Sequence, residues 1–290
     1  MIPPRFDYVA PTSLEEALAV LHTEGDEAKV LSGGQSLIPL LKLRLAAPRL
    51  LVDINRIPGL DRLEEENGSL RIGALVREHD LERSATVRAR YPLLADAAGV
   101  VADPLVRNRA TVCGNVAHAD PANDHPAALL ALDAVVVARG PGGERRIPIR
   151  EFFTGLFATA LRPDEIVTEV DVPVPAPRTA GAYLKLERKV GDFATAAVAV
   201  QVSLAADGTV ARAAIGLTNV GPMPIRAEGA EAALAGRRPD DAVVAEAGRL
   251  AAAAAQPVTD RRGSAEYKRD VVRVLTVRAL RRALERAEMA

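Results

Sequence analysis

Three segments of the chain combine glycine with short polar side chains in a way that could hold an anion or a planar ligand. The first is Ser32-Gly33-Gly34-Gln35-Ser36, set between two apolar stretches. Paired glycines let backbone N–H groups turn toward one point and let a ligand come close, while Gln35 and Ser36 add donors suited to phosphate oxygens. An ordinary glycine turn is the plain alternative. The segment is neither a Walker loop nor a Rossmann fingerprint, since GxxxxGK[ST] and GxGxxG are both absent from the chain.

The second segment, Thr111-Val112-Cys113-Gly114-Asn115, again sets small residues and hydroxyl or amide donors beside a turn, and Ala119-Asp120-Pro121-Ala122-Asn123-Asp124 follows it. Asp124 could accept hydrogen bonds from a ribose or a similar diol, and two such loops facing each other could hold a pyrophosphate. Asp120 and Asp124 equally suit turn and N-cap positions ahead of the next helix. His118, Asp120, Asp124 and His125 are all metal-ligand types, but they form no i, i+4 histidine pair and Pro121 prevents a regular helix, so no metal site is expected. Cys113 reads as a small buried hydrophobe, because no local His-Cys arrangement supports nucleophilic catalysis.

The third segment runs from Lys185 to Ala194. Strand alternation would put Lys185, Glu187 and Lys189 on one face, with a turn at Gly191-Asp192 presenting Phe193. A cation and an aromatic ring suit the neighbourhood of a planar cofactor. A charged edge strand with Phe193 in the core is the simpler reading.

Several elements must position these residues. Ser13 and Glu16 form a capping box that opens a helix through Leu14, Leu18 and Leu21, and Ala28 to Leu31 and Leu50 to Ile54 are strand candidates flanking the apolar stretch Leu37 to Leu45. Asn67-Gly68 joins Leu60 to Glu66 and Leu70 to Ala74 as a two-residue hairpin. A helix through Pro92 to Val101 leads to a loop over Asp103 to Asn108. An apolar helix over Ala127 to Leu132 precedes a hairpin around Gly140 to Gly143. Val170 to Arg178, with prolines at 173, 175 and 177, reads as an extended linker, and the domain boundary is placed there. Beyond it Ala182 to Leu186, Ala196 to Leu204 and Val210 to Leu217 read as three strands, the last two joined at Asp207-Gly208. Residues 227–290 are helical in pattern.

Composition removes whole classes of function. With 37 basic and 38 acidic side chains in 290 residues, nothing favours a nucleic acid or another polyanion, and 3% aromatic content without tryptophan offers few stacking platforms. The length suits one large or two medium domains. A single cysteine excludes a disulfide framework, a CxxC pair and an iron–sulfur cluster held by this chain alone. No apolar run is long enough to span a membrane and the N-terminus does not read as a signal peptide, so a cytoplasmic location is expected. The excess of arginine over the five lysines runs through the whole chain and reads as genome bias.

Taken together, Ile2-Pro3-Pro4-Arg5-Phe6-Asp7-Tyr8, Gly33-Gly34-Gln35-Ser36-Leu37-Ile38-Pro39, Gly114-Asn115, Ala119-Asp120-Pro121, Gly191-Asp192-Phe193-Ala194-Thr195-Ala196 and Gly216-Leu217-Thr218-Asn219-Val220 resemble the FAD-binding medium subunit of the xanthine dehydrogenase and aerobic carbon monoxide dehydrogenase family of molybdenum hydroxylases. The likeness covers essentially the whole chain. It implies an α+β fold, with a vanillyl-alcohol-oxidase-like FAD-binding domain of two α/β subdomains over residues 1–177. A C-terminal domain over 178–290 would follow, with a three-stranded antiparallel sheet and a helical bundle. By resemblance Ser32 to Ser36 and Thr111 to Asn115 would hold the pyrophosphate and Asp124 would serve the adenosine side. Val101 and Val167 would line the cofactor pocket, and Lys185 would lie near the flavin ring. Two departures stand out. Cys113 replaces a glycine of the usual second loop, so that position tolerates a Cβ and pyrophosphate affinity could be weaker. Phe193 stands where a tyrosine beside the isoalloxazine is frequent, which removes a hydroxyl.

The function implied is an electron-transfer subunit. Electrons from a molybdenum cofactor on a large partner would cross iron–sulfur clusters on a small partner, reach FAD here and leave to an external acceptor, in a dimer of heterotrimers. A stand-alone flavin oxidase and a non-catalytic nucleotide-binding scaffold are the competing readings.

Overall fold

The amide of Glu16 donates to Ser13 Oγ at 3.2 Å, while the Glu16 carboxylate takes the Thr12 amide at 2.9 Å, one residue earlier than a capping box requires. This fixes the start of helix α1 (Leu14–Glu24), which follows strand β1 (Asp7–Val9) and precedes β2 (Ala28–Leu31). Helix α2 (Leu37–Lys42) then returns the chain to β3 (Leu50–Asp53), giving a parallel sheet in the order β1-β3-β2. The computed structural model describes residues 1–290.

An antiparallel sheet follows. Asn67 and Gly68 both adopt positive φ, 50° and 82°, which matches the twist of the hairpin joining β4 (Leu63–Glu66) to β5 (Ser69–Gly73). Helices α3 (Glu78–Arg83), α4 (Ala85–Arg90) and α5 (Pro92–Gly99) come next. Asp103 to Asn108 is not a loop: Asp103 Oδ1 accepts from the Val106 amide at 3.0 Å and Pro104 takes the first helical position, so a single turn, α6 (Pro104–Arg107), forms. The segment after it also departs from the expected turn, because Thr111 caps a short helix, α7 (Val112–His118). Helix α8 (His125–Ala131), the hairpin β6 (Val135–Gly140) and β7 (Gly143–Pro148), the turn α9 (Ile149–Phe152) and the short pair β8 (Phe153–Gly155) and β9 (Ala158–Thr159) lead to β10 (Ile166–Pro173). Strand β10 is the centre of the order β4-β5-β10-β6-β7. Val170 to Pro173 is therefore strand rather than linker. The first of the three prolines sits at the strand end, where a missing N–H is tolerated, and only 174–178 is irregular.

The last sheet holds β11 (Thr179–Glu187), β12 (Ala194–Leu204), β13 (Val210–Thr218) and β14 (Ile225–Arg226) in sequential order. It has four strands rather than the expected three, because Ile225 and Arg226 pair with Leu217 and Gly216. Helices α10 (Glu228–Leu234), α11 (Asp241–Ala254) and α12 (Ala265–Met289) cover one face. Alternation along β12 divides its side chains between two cores. Ala197 and Ala199 join the core that also holds Tyr91, Leu93, Leu129 and Val170. Ala196, Val198, Val200 and Val202 join the core under the C-terminal helices with Val243, Ala247 and Leu280. The sheet is thus a wall shared by both cores, which is why β12 reads as continuously apolar. No helix is long and apolar enough to cross a membrane.

Small residues on the shared face set how closely α5 and α8 approach. A methyl group at Gly216 would lie 2.2 Å from the Ala127 carbonyl oxygen, and one at Gly181 would lie 2.9 Å from Leu93 Cβ. Gly216→Val is expected to push α8 off β13 and cost about 3 kcal/mol, as overpacking a tight core does; the shift of the urea unfolding midpoint measures it, and an unchanged midpoint would refute this packing.

Candidate functional site: two converging backbone loops

Gly33 brings the first two segments together. A Cβ at this position would lie 2.3 Å from the Arg109 carbonyl oxygen and 2.9 Å from Ala110 Cα, so the chain after β2 touches the chain before α7 directly. Gly34 turns with φ of 73°. Ser32 Oγ donates to the Ala74 carbonyl at 3.1 Å and stands 3.2 Å from Thr111 Oγ1, which accepts from the Gly114 amide at 3.2 Å. One proton arrangement satisfies all three contacts: Thr111 donates to Ser32, and Ser32 to Ala74. Both hydroxyls are therefore occupied in joining the loops. The amides of Gly33, Gly34, Gln35 and Cys113 donate to no protein acceptor, whereas that of Val112 faces the Val76 carbonyl across the Arg77–Thr111 bridge, and Gln35 is exposed. Anion recognition here falls to the backbone rather than to the serine and threonine side chains.

Residues not singled out in the sequence hold this geometry. Asn55 Nδ2 donates to the Ser32 carbonyl at 2.9 Å and to Asp53 Oδ1 at 2.6 Å. Arg77 donates to Asn55 Oδ1 at 2.5 Å and to the Arg109 carbonyl at 2.8 Å, and the Glu78 amide donates to the Ala110 carbonyl at 2.9 Å. One guanidinium thus ties both loops together. No local motif marks Asn55 or Arg77; only the tertiary fold puts them beside the loop glycines, which are 21 or more positions away. Burial alone would raise the Asp53 carboxyl, but its bonds from the Tyr8 hydroxyl at 2.6 Å and from Asn55 outweigh it and hold the group below the usual range.

Cys113 points away from the loops. It is 2% exposed, its thiol donates to the Ile72 carbonyl at 3.4 Å, and burial pushes its pKa up. Its Cβ therefore costs the site nothing in space. Asn115 keeps a buried Oδ1 with no hydrogen-bond partner, a feature that calls for a donor from outside the chain.

Asp124 does not lie open to a diol, nor does its side chain cap α8. Its oxygens accept from the Tyr183 hydroxyl at 2.7 Å and from Lys185 Nζ at 3.0 Å. Lys185 also donates to the Val100 carbonyl at 2.9 Å and lies 3.4 Å from Glu187. Burial raises the Asp124 carboxyl pKa despite the lysine. Asp124 and Lys185 form one ion pair, so their side chains cannot serve opposite ends of an extended dinucleotide. This corrects the expectation that Asp124 serves the adenosine while Lys185 serves the flavin. Asp120 does make the expected turn, accepting from the Ala122 amide at 2.9 Å.

The metal-ligand types next to it go separate ways. His125 Nε2 lies 2.6 Å from Glu78 Oε2, both residues being fully buried. Burial would lower the imidazole pKa, but the Glu78 carboxylate outweighs it and raises the value. His118 packs on Phe157 with ring centroids 5.4 Å apart.

The third segment is neither of the two simple pictures. Strand β11 is an edge strand, but Lys185 is buried rather than solvated, and Lys189 lies beyond the strand. Phe193 is outside the core, 49% exposed. Gly191, with φ of 81°, lies where a Cβ would meet the Ala102 carbonyl at 2.7 Å, so this turn abuts the buried Val101. Arg262 donates to the Phe193 carbonyl at 2.8 Å and to Asp192 Oδ1 at 3.1 Å. Val167 is buried in β10 within the first core.

Free backbone donors, a glycine at contact distance between the two loops and an orphaned amide oxygen fit a dinucleotide such as FAD. Comparison with known proteins agrees. Residues 4–175 match the FAD binding domain in molybdopterin dehydrogenase, and residues 181–283 match the CO dehydrogenase flavoprotein C-terminal domain. The chain belongs to the family of FAD-binding medium subunits of molybdenum hydroxylases. It is 46% identical over 286 residues to the carbon monoxide dehydrogenase medium chain of Hydrogenophaga pseudoflava, covering 99% of each chain. It is 41% identical over 287 residues to subunit alpha of the 6-hydroxypseudooxynicotine dehydrogenase complex of Paenarthrobacter nicotinovorans, covering 99% of this chain and 97% of the relative. The carbon monoxide dehydrogenase structure from Hydrogenophaga pseudoflava superimposes with a TM-score of 0.96 at 48% identity over 99% of both chains. That of quinoline 2-oxidoreductase from Pseudomonas putida 86 gives 0.92 at 31%, again over 99% of both. The chain is an oxidoreductase subunit, similar to carbon monoxide dehydrogenase medium chains.

Gly33→Val is expected to part the loops and abolish retention of FAD through a desalting column while the circular dichroism spectrum is kept; full retention would refute the contact. The depressed Asp53 carboxyl gives a second expectation. Its stabilising bonds are complete above the ordinary carboxylate pKa near 4 and are lost as pH falls through the lower folded value. Asp53→Asn should cost about 1 kcal/mol at neutral pH, a figure discounted for partial exposure, and should flatten the fall in thermal midpoint below about pH 4. An acid limb of unchanged steepness in the variant would show that Asp53 is not the group responsible.

Proposed function

We propose that this chain is the electron-transfer subunit of a molybdenum hydroxylase complex and holds FAD between the loop 32–36 and the start of α7. The observation that carries the reading is the convergence of two backbone segments on Gly33, with amides at 33–35 and 113 left without protein acceptors. Bound FAD supplies exchange of one or two electrons. The residues here bind and orient it. Within Ser32 to Ser36 and Thr111 to Asn115, the free backbone N–H groups at 33–35 and 113 hold the pyrophosphate, and Asn115 Oδ1 accepts from a hydroxyl of the same ligand. Val101, Val167 and Phe193 line the pocket, and Lys185 stands near the flavin ring with its ammonium fixed by Asp124.

In this reading residues 1–177 are a vanillyl-alcohol-oxidase-like FAD-binding domain of two α/β subdomains, and 178–290 the C-terminal domain. The separate parallel and antiparallel sheets of the first half support that division. The iron–sulfur clusters sit on a small partner and the molybdenum cofactor on a large one, in a cytoplasmic dimer of heterotrimers. The single cysteine, engaged with Ile72, supports placing the clusters on another chain. The relatives named above differ in substrate, one acting on carbon monoxide and another on 6-hydroxypseudooxynicotine, so substrate choice belongs to the large partner.

A visible absorption spectrum of the purified chain, taken before and after adding FAD and desalting, tests the reading. Retained bands near roughly 370 and 450 nm, as for any oxidised flavin, are expected. A folded chain that stays colourless with excess FAD would leave the scaffold reading in its place, and bleaching of the isolated chain by a small organic substrate would instead indicate a stand-alone oxidase.

A further inference from the structure

The Glu78–His125 contact joins the first residue of α3 to the first residue of α8, and pyrophosphate binding by backbone amides leaves it unexplained. Both residues are fully buried, and the only polar contact either side chain makes is the one between Nε2 and Oε2. The second polar atom of each, Glu78 Oε1 and His125 Nδ1, is buried with no partner. Two unmatched polar atoms in one buried pair are costly, and an apolar pair of the same size would fill the space without that cost.

The pair stands beside the cradle. The Glu78 amide donates to the carbonyl of Ala110, the residue before Thr111 and one of the two that Gly33 touches. Charged groups on the surrounding elements are engaged elsewhere. Asp124, next to His125, accepts from Tyr183 and Lys185 of β11, Asp96 of α5 pairs with Arg286, and Glu169 of β10 pairs with Arg71. Arg77 turns its guanidinium to Asn55 and the Arg109 carbonyl, and Arg226 of β14 binds Asp133 at the far end of α8. Burial keeps Cys113 of α7 a neutral thiol. None of these bonds to the pair, so its charge is set by the protons on Glu78 and His125.

With one proton on Nδ1 and one between Nε2 and Oε2, the two groups are an imidazolium and a carboxylate, neutral in sum. The Nδ1 proton has no acceptor within the protein. Its loss to solvent leaves the Nε2–Oε2 bond in place and changes only the charge. The Glu78 carboxylate holds that proton to higher pH than an ordinary histidine would, against the effect of burial.

We infer that Glu78 and His125 form a charge switch beside the pyrophosphate cradle: with its full complement of protons the pair is neutral and the cradle holds the anion, and loss of the Nδ1 proton leaves a buried negative charge that weakens the hold without moving the loops. The inference rests on the FAD reading above. Its sign follows from the raised value of His125: the tight state is complete below the ordinary histidine pKa near 6.5 and is lost as pH rises through the higher folded value.

Equilibrium dialysis of the full chain with FAD, over a series from about pH 6 to about pH 9, tests it. The dissociation constant of the native chain should rise about tenfold across the series, as expected for one interior charge near a bound anion. Glu78→Gln keeps the shape and removes the charge, so it should match the native chain at the acid end and bind about tenfold more tightly than it at the alkaline end. His125→Gln should be equally flat, because a lone buried Glu78 carboxyl keeps its proton. Titration of the ligand itself is common to the three chains and cancels. A native constant that does not change with pH, or a slope in Glu78→Gln equal to the native one, would overturn the switch. Weaker binding by both variants at every pH, together with a lower ligand-free thermal midpoint, would overturn it in favour of a purely structural pair. A native chain that binds no FAD at any pH would bring down the cofactor reading itself, and the switch with it.

Discussion

The site depends on one contact in which two backbones meet with no side chain between them. Gly33 lies against Arg109 and Ala110 so closely that a single methyl group would collide with a carbonyl oxygen at 2.3 Å. That contact joins the chain after β2 to the chain before α7, and the bond from Ser32 to the Ala74 carbonyl continues it to the end of β5. Its consequence is that the serine and threonine hydroxyls become fasteners, spent on each other and on the Ala74 carbonyl, while ligand recognition is left to amides. Amides fixed in a turn are already oriented before the ligand arrives, whereas hydroxyl rotors are not.

Around this contact Arg77 bridges both loops through neutral acceptors, while two charged pairs are buried nearby, Glu78 with His125 and Asp124 with Lys185. Arg77 and Glu78 are neighbours in the chain, as are Asp124 and His125. The start of α3 and the start of α8 are thus locked to each other, and the chain between residues 109 and 124 is clamped at both ends. Buried pairs of this kind contribute little net stability but are costly to break, which suits them to holding one arrangement against alternatives.

Local chemistry made much of the fold legible. Asn67-Gly68, the Ser13 cap, and the apolar run of β12 each reflect interactions among residues close in sequence or along one strand. The errors arose where the deciding interaction is distant. Val170 to Pro173 reads as linker because the prolines dominate its pattern, yet pairing with Arg71 and Ile72 makes it strand. Thr111 to Asn115 reads as loop because its residues are small, yet Thr111 caps a helix. At the site the glycines were visible as glycines, but what they approach was not. Asp124 was visible as a carboxylate, but Tyr183 and Lys185, some 60 positions on, decide what it binds.

Lysine usage gives the arginine bias a different meaning. Of five lysines among 37 basic residues, Lys185 and Lys268 have side chains 3% and 2% exposed. Each ammonium gathers a backbone carbonyl together with carboxylate oxygen, from Val100, Asp124 and Glu187 in one case and from Val258 and Asp260 in the other. A tetrahedral ammonium reaches acceptors arranged around a point, which a flat guanidinium fork does not. Lys29, Lys42 and Lys189 are exposed, but these two lysines stand inside a chain whose cations are mostly arginine, at points where the shape of the cation, as well as its charge, is what the interior requires.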